Sequence, residues 1–128
     1  MSTFLVDTSV LINALNQKRG HYEVLGALAN QGHSLACCAA ILAELFSGIK
    51  PADVAKVEAF VSSFGWYQTS PAIAKRAGRL RFEYARKGVA LSIPDTLIAA
   101  TALEYRLALI TANQKHFPMP ELSLLPLS

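Results

Sequence analysis

Phe4-Leu5-Val6-Asp7-Thr8-Ser9-Val10-Leu11-Ile12 is the stretch whose reading sets the fold. Phe4 to Val6 is a short apolar run of the kind a buried strand uses, and Val10 to Ile12 begins a second run with helical character. Ser9 offers an N-cap hydroxyl between them, so the pattern predicts a strand that ends on Asp7 and a short helix over 8–15. In an open α/β sheet, ligands bind in the crevice outside the carboxyl ends of the strands, and this reading places Asp7 there. An aspartate at a strand end is also an ordinary turn or cap residue. Its meaning depends on the other acids in the chain.

The totals narrow the field. A length of 128 residues predicts one domain, 1–128, with a core large enough to need neither metal nor disulfide staples. Hydrophobic residues make up 52% and charged residues 16%, which excludes a disordered chain. The net charge of +3 and the pI near 9.0 lean toward a polyanionic partner without requiring one. Cys37 and Cys38 are adjacent in an apolar run, where a mutual disulfide would be strained, and no second pair exists to complete a structural zinc site. They read as two buried thiols in a reducing compartment. Met1-Ser2-Thr3 has no basic leader, and no apolar stretch is long enough to span a bilayer, so a cytoplasmic protein with no membrane role is expected.

Strand and helix signals alternate along the chain. Val24, Leu25, Leu28 and Ala29 form a helical stripe over 21–31, closed by Gly32, and 34–38 reads as a second strand. Ile41, Leu42, Leu45, Phe46 and Ile49 give a helix over 39–49, ended by Pro51. Pro51 then opens another, with Val54, Val57, Phe60 and Val61 inward. A short strand is expected over 66–69, followed by the longest helix, 71–87. That helix carries Ile73, Ala77, Leu80 and Tyr84 on one stripe and Arg76, Arg79, Glu83, Arg86 and Lys87 on the other. A helix from 93 to about 105, a strand over 107–111 and a last strand over 122–125 complete the order. Such alternation predicts an α/β fold of three α/β/α layers around a central, mainly parallel sheet of four to five strands.

Against that frame, three acids stand out among nine. Asp53, in a helix's first turn, has an ordinary stabilising reason to be there. Glu44 shares a helix face with Ala40, Ser47 and Gly48, small residues that would let a ligand approach, although an exposed glutamate on a narrow polar stripe fits as well. Asp95 completes a capping box with Ser92, yet the helix it opens, Leu97-Ile98-Ala99-Ala100-Thr101-Ala102-Leu103, is apolar nearly all round and must be buried. Two carboxylates about 5 Å apart repel by roughly 3 kcal/mol at an effective dielectric of 20, so three together demand a cation or a held proton. Oxygen donors without a cysteine or a histidine pair favour magnesium or manganese over zinc. Asn113 lies just past the last long strand, where its amide can bind a water or a carboxylate. His116 has no acid in its own segment and reads as an ordinary loop histidine.

Four segments together, Val6-Asp7-Thr8-Ser9-Val10-Leu11-Ile12, Ala43-Glu44-Leu45, Pro94-Asp95-Thr96-Leu97-Ile98-Ala99-Ala100-Thr101-Ala102 and Leu109-Ile110-Thr111-Ala112-Asn113-Gln114-Lys115-His116-Phe117, resemble the signature segments of PIN-domain ribonucleases. In length and element order the chain is similar to the VapC toxins of bacterial toxin–antitoxin pairs. The resemblance implies a PIN-like fold and a metal-dependent endoribonuclease whose products carry a 5′-phosphate and a 3′-hydroxyl. It maps three family acids onto Asp7, Glu44 and Asp95, with Asp7 and Asp95 holding the ion, and assigns supporting roles to Ser9 and Thr111. The fourth family position, frequently aspartate, is Asn113, which can orient a water but adds no charge. By the same resemblance the partners are an RNA substrate, a cognate antitoxin whose C-terminal segment crosses the cleft, and a second copy in a homodimer.

For holding RNA, Lys115 is the nearest cation to the expected cleft. The stripe Arg76, Arg79, Arg86, Lys87 is the more distant one, and it reads equally as a solvated face laced by Glu83. Trp66 and Tyr67 can stack on a base or pack a short strand. Two rival functions stay open at this point. One is a PIN-like module that binds RNA or protein without cutting. The other is a phosphohydrolase using Asp7 as nucleophile, for which the chain lacks a phosphate-binding glycine loop.

Overall fold

A computed structural model describes residues 1–128, and in it the alternating pattern folds into five strands and six helices. The strands β1 (Thr3–Val6), β2 (Ser34–Cys38), β3 (Gly65–Tyr67), β4 (Ala108–Thr111) and β5 (Leu124–Pro126) lie in the order β3-β2-β1-β4-β5, and each neighbouring pair runs parallel. Parallel neighbours need crossovers, which helices supply. They are α1 (Thr8–Leu15) and α2 (His21–Asn30) after β1, α3 (Ala39–Ser47) and α4 (Val54–Val61) after β2, and α5 (Pro71–Arg86) and α6 (Ile93–Tyr105) after β3. The α/β fold and the parallel sheet are as the sequence predicts. No helix is long and apolar enough to cross a membrane.

β1 is central, paired with β2 through Leu5 and Ala36 and with β4 through Leu5 and Leu109. A strand covered on both faces needs a continuous apolar run rather than alternation, and Leu5, Val6, Leu109 and Ile110 are all fully buried. On β2, Cys37 and Cys38 are buried free thiols. Burial pushes the Cys37 thiol up to about 12 and moves Cys38 in the same direction, so both stay protonated.

α6 has no polar face because none is needed. Thr96, Ile98, Ala99, Ala100, Thr101 and Ala102 are all buried, and α5 rests on Ala100 through Ile73 and Ala77. Its two buried threonines are satisfied within the helix, Thr96 donating to the Ile93 carbonyl at 2.9 Å and Thr101 to that of Leu97 at 2.8 Å.

Four expectations are corrected. α3 stops at Ser47 with Gly48 as its C-cap, two residues short of Ile49. Pro51–Asp53 is a single 3-10 turn that leads into α4 rather than the helix's first turn. β3 covers 65–67 instead of 66–69 and lies at the sheet edge, paired only with β2. Trp66 is therefore 48% exposed, while Tyr67 packs on Tyr105 with ring centroids 4.8 Å apart. Glu83 pairs with neither Arg79 nor Lys87. The Arg79 and Arg86 guanidiniums instead lie over the Phe82 ring at 4.7 and 5.9 Å, and Arg76 pairs with Glu104 at 3.2 Å.

Since Leu109 is fully buried between β1 and β5, Leu109→Ala should lower the unfolding free energy by roughly 2–5 kcal/mol. A urea titration would then show a lower midpoint with an unchanged slope.

Candidate active site

The order of the sheet reverses between β1 and β4, and a crevice opens beyond the carboxyl ends of strands at such a point. Val6 is in register with Ile110, so Asp7 and Thr111 leave the sheet side by side, tied by the Asp7 amide donating to the Ile110 carbonyl at 2.9 Å. The Asp7 carboxylate, 4% exposed, is held at both oxygens. Oδ1 accepts from the Thr8 amide at 2.9 Å, and Oδ2 accepts from the Ser9 and Thr111 hydroxyls, each at 2.8 Å.

Asp7, not Ser9, is the N-cap of α1. Its backbone is extended and its carbonyl already accepts from the Val10 and Leu11 amides. The Ser9 hydroxyl is thereby free to turn back onto Asp7 and to accept from the Ala112 amide at 3.2 Å. Thr111 Oγ1 likewise accepts from the Asn113 amide at 2.9 Å, which fixes the loop after β4.

The other two acids arrive from helices that start near the same edge. Glu44, half-buried on α3, accepts from the Thr8 hydroxyl at 3.1 Å. Thr8 was not singled out from sequence; its place next to Asp7 on a capped first turn was the available signal. Asp95 lies in the first turn of α6, its amide donating to the Ser92 hydroxyl at 3.1 Å as the capping box predicts. Its Oδ2 is 3.3 Å from His116 Nδ1. His116 has no acid in its own segment, as expected, but it is not an ordinary loop histidine, because α6 brings it Asp95. Asn113 and Lys115 are exposed at the rim; the Asn113 backbone amide is bound to Thr111, while its side-chain amide has no partner within the chain.

The three acids share one electrostatic neighbourhood. The Glu44 carboxyl is pushed above its ordinary range, first by burial and then by the charges of Asp95 and Asp7, against the opposing Thr8 hydrogen bond. Asp95 is also raised, by burial and by Asp7, with the Ser92 hydrogen bond and His116 opposing. No three of the chain's His, Cys, Asp and Glu side chains close on a common point as a finished metal cage. The arrangement is a pinned carboxylate with two strained companions, and it calls for added positive charge.

A carboxyl raised in the folded state stabilises the fold below the ordinary carboxylate range, and that contribution is lost as pH rises through the raised value. Glu44→Gln should therefore melt higher than the parent at about pH 8, with the gap closing toward about pH 4, in thermal melts recorded across that range without divalent ions.

The PIN domain matches residues 4–120. Ribonuclease VapC19 of Mycobacterium tuberculosis is 34% identical over 115 residues, covering 90% of this chain and 92% of its own length. Ribonuclease VapC10 of the same species is 36% identical over 117 residues, covering 91% and 87%. The crystal structure of VapBC2 from Rickettsia felis, bound to a DNA fragment from its promoter, contains a chain that superposes with a TM-score of 0.84 at 28% identity, covering 98% of this chain and 99% of that one. A toxin–antitoxin complex from Klebsiella pneumoniae superposes with a TM-score of 0.77 at 31% identity, covering 94% of each chain. By sequence and by fold alike, this chain belongs to the PIN-domain family, alongside the VapC ribonucleases.

Proposed function

We propose that residues 1–128 act as the endoribonuclease toxin of a toxin–antitoxin pair, cutting RNA phosphodiester bonds with a water activated between Asp7, Glu44 and Asp95. One observation carries this reading: a buried carboxylate is fixed by three hydrogen bonds at the sheet's reversal point, beside two further acids that are raised first by burial and also by its charge. The relatives named ribonucleases supply the substrate class.

The donor set suits magnesium or manganese, because the donors are hard oxygens, negative charge is in excess and both thiols are kept protonated by burial. Asp7 and Asp95 are the residues that would hold such an ion, which takes few protein ligands and keeps several waters. When bound, such an ion makes its water more acidic and neutralises charge on the scissile phosphate.

The chain's own residues do the rest. Ser9 and Thr111 fix the orientation of Asp7. Thr8 occupies Glu44 Oε1 and leaves Oε2 for the water, and the raised carboxyl makes Glu44 a better proton acceptor than an ordinary glutamate. Asn113 orients the water or the phosphate through its unpartnered side-chain amide, and Lys115 binds a neighbouring phosphate. Attack of the water on phosphorus with departure of the 3′ oxygen leaves a 5′-phosphate and a 3′-hydroxyl.

The antitoxin is the partner expected from the likeness to toxin–antitoxin complexes. Its seat is a groove of about 380 Å³ in which Ile12, Leu15 and Ile49 present apolar surface above the buried Leu45 and Val57. The active unit is a homodimer. A second reading, a module that binds RNA without cutting it, is favoured by Asn113 standing where an acid is frequent in the family.

Incubation of a mixed RNA pool with the protein separates the two readings. Cutting should need Mg2+ or Mn2+ and stop with EDTA. Asp7→Asn, which keeps a good helix cap, should abolish both the cutting and any rise in melting temperature on adding Mn2+. Glu44→Gln should cut roughly 10²- to 10⁴-fold more slowly while keeping the Mn2+-induced rise. Cutting that persists in Asp7→Asn, or that ignores EDTA, defeats the proposed mechanism.

A further inference from the structure

Two recesses flank Asn113. One, of about 440 Å³, is bounded by Gln114, Lys115 and His116. The other, of about 450 Å³, is bounded by Ser9, Asn13 and Arg19 on the α1 side. They share Ala112 and Asn113 as a common wall, and the second also contains Ser9, whose hydroxyl is bound to Asp7. No acidic side chain lines either recess, and each contains one permanent cation, Lys115 or Arg19. At the edge of the second recess, the Ser128 main-chain oxygen is engaged by the buried His21 ring at 3.0 Å.

Arg19 is unusual in its backbone as well as its place. Its φ is +57°, in the left-handed region that favours glycine. Two other non-glycine residues adopt that conformation, and both have helix-end explanations. Gln17, at +53°, follows the α1 C-cap, with its amide and that of Lys18 bonded back to Ala14 and Asn13, and Arg106, at +56°, is the C-cap of α6. Arg19 and Gly20, both at positive φ, are the central residues of a tight turn closed by the His21 amide donating to the Lys18 carbonyl at 3.2 Å, which joins α1 to α2 and sets where the Arg19 side chain leaves the backbone. Its guanidinium makes no ion pair, since the chain's two pairs are Arg76 with Glu104 and His116 with Asp95. An unpaired guanidinium thus lines a recess that holds Ser9 and Asn113 and has no acidic side chain in its wall.

We propose that Arg19 binds a backbone phosphate of the substrate strand on the α1 side of the scissile bond, with Lys115 gripping the strand on the opposite side. The inference rests on the nuclease reading above and extends it to how the strand is held. An acidic centre repels the polyanion it must cut. Cations on both flanks, set apart from the acids, offset that repulsion without quenching the carboxylates. The guanidinium fork suits a phosphate's paired oxygens, so a lysine at the same position should substitute only in part.

The test compares the parent, Arg19→Gln, Arg19→Lys, Lys115→Gln and Arg106→Gln in the full chain, with melting curves checked for folding. Arg106 is the matched control: an exposed arginine in the same left-handed conformation, just before β4 and so at the opposite end of the sheet. A fluorescein-labelled single-stranded RNA pool is titrated in EDTA, where nothing is cut, at several salt concentrations. Arg19→Gln should bind roughly 3- to 10-fold more weakly and reduce the salt slope by about one, with Arg19→Lys between it and the parent and Arg106→Gln unchanged. With Mg2+ present, Arg19→Gln should raise KM and leave kcat within about twofold. Parent-like affinity and slope in Arg19→Gln overturn the proposal, as does an equal loss in Arg106→Gln, which would mean net charge alone. If those results appear while Asp7→Asn still abolishes cutting, the nuclease reading stands and only the strand-binding role falls. If the parent neither binds nor cuts RNA, both fall.

Discussion

The hydrogen bond from Thr111 to Asp7 joins the two strands between which the sheet changes direction, and the geometry of the site depends on it. β1 and β4 are adjacent in space though distant in sequence, and their register delivers Asp7 and Thr111 to the same edge. With the Thr8 amide and the Ser9 hydroxyl, Thr111 removes the rotational freedom of a side chain that would otherwise swing. A carboxylate fixed in this way is a preorganised negative charge, and fixed charges act on their surroundings without first having to reorient.

Burial first, and that fixed charge after it, set the character of Glu44 and Asp95. Each is partly buried and each faces Asp7, so both are harder to ionise than their exposed counterparts. The fold tolerates this because both acids also have local support: the Thr8 hydroxyl for Glu44, and the Ser92 cap with His116 for Asp95. The support is enough to hold positions but leaves a charge imbalance, which is the condition under which a cation or a proton is taken up. Stability is given up locally at the place where chemistry is proposed.

What could be read from the sequence followed from how local each signal was. The parallel sheet was legible because doubly covered strands are continuous apolar runs and α6 is apolar all round. Asp7 and Asp95 were legible because a strand end and a capping box are patterns of a few residues. The N-cap of α1 was misplaced at Ser9 for the same reason: two hydroxyl-or-carboxylate residues compete for one cap, and only the carbonyl geometry of Asp7 decides between them. The pairing of His116 with Asp95 could not be read, since the two lie on different elements and meet only in the folded chain. His21, buried against the main-chain oxygen of Ser128, was hidden by its place in the first turn of an otherwise ordinary helix, and the fate of Trp66 turned on β3 being an edge strand.

The span of the Thr111–Asp7 contact, 104 residues, bears on synthesis at the ribosome. The acids sit at positions 7, 44 and 95, but the first of them is locked only after residue 111 has been made and has docked beside β1. A nascent chain lacking β4 can form helices, yet it has no fixed carboxylate and no closed central pair of strands, and pairing between such remote segments is slow by its topology. Whatever the site does to its substrate, it is switched on late, as one cooperative event, and a truncated translation product is inert.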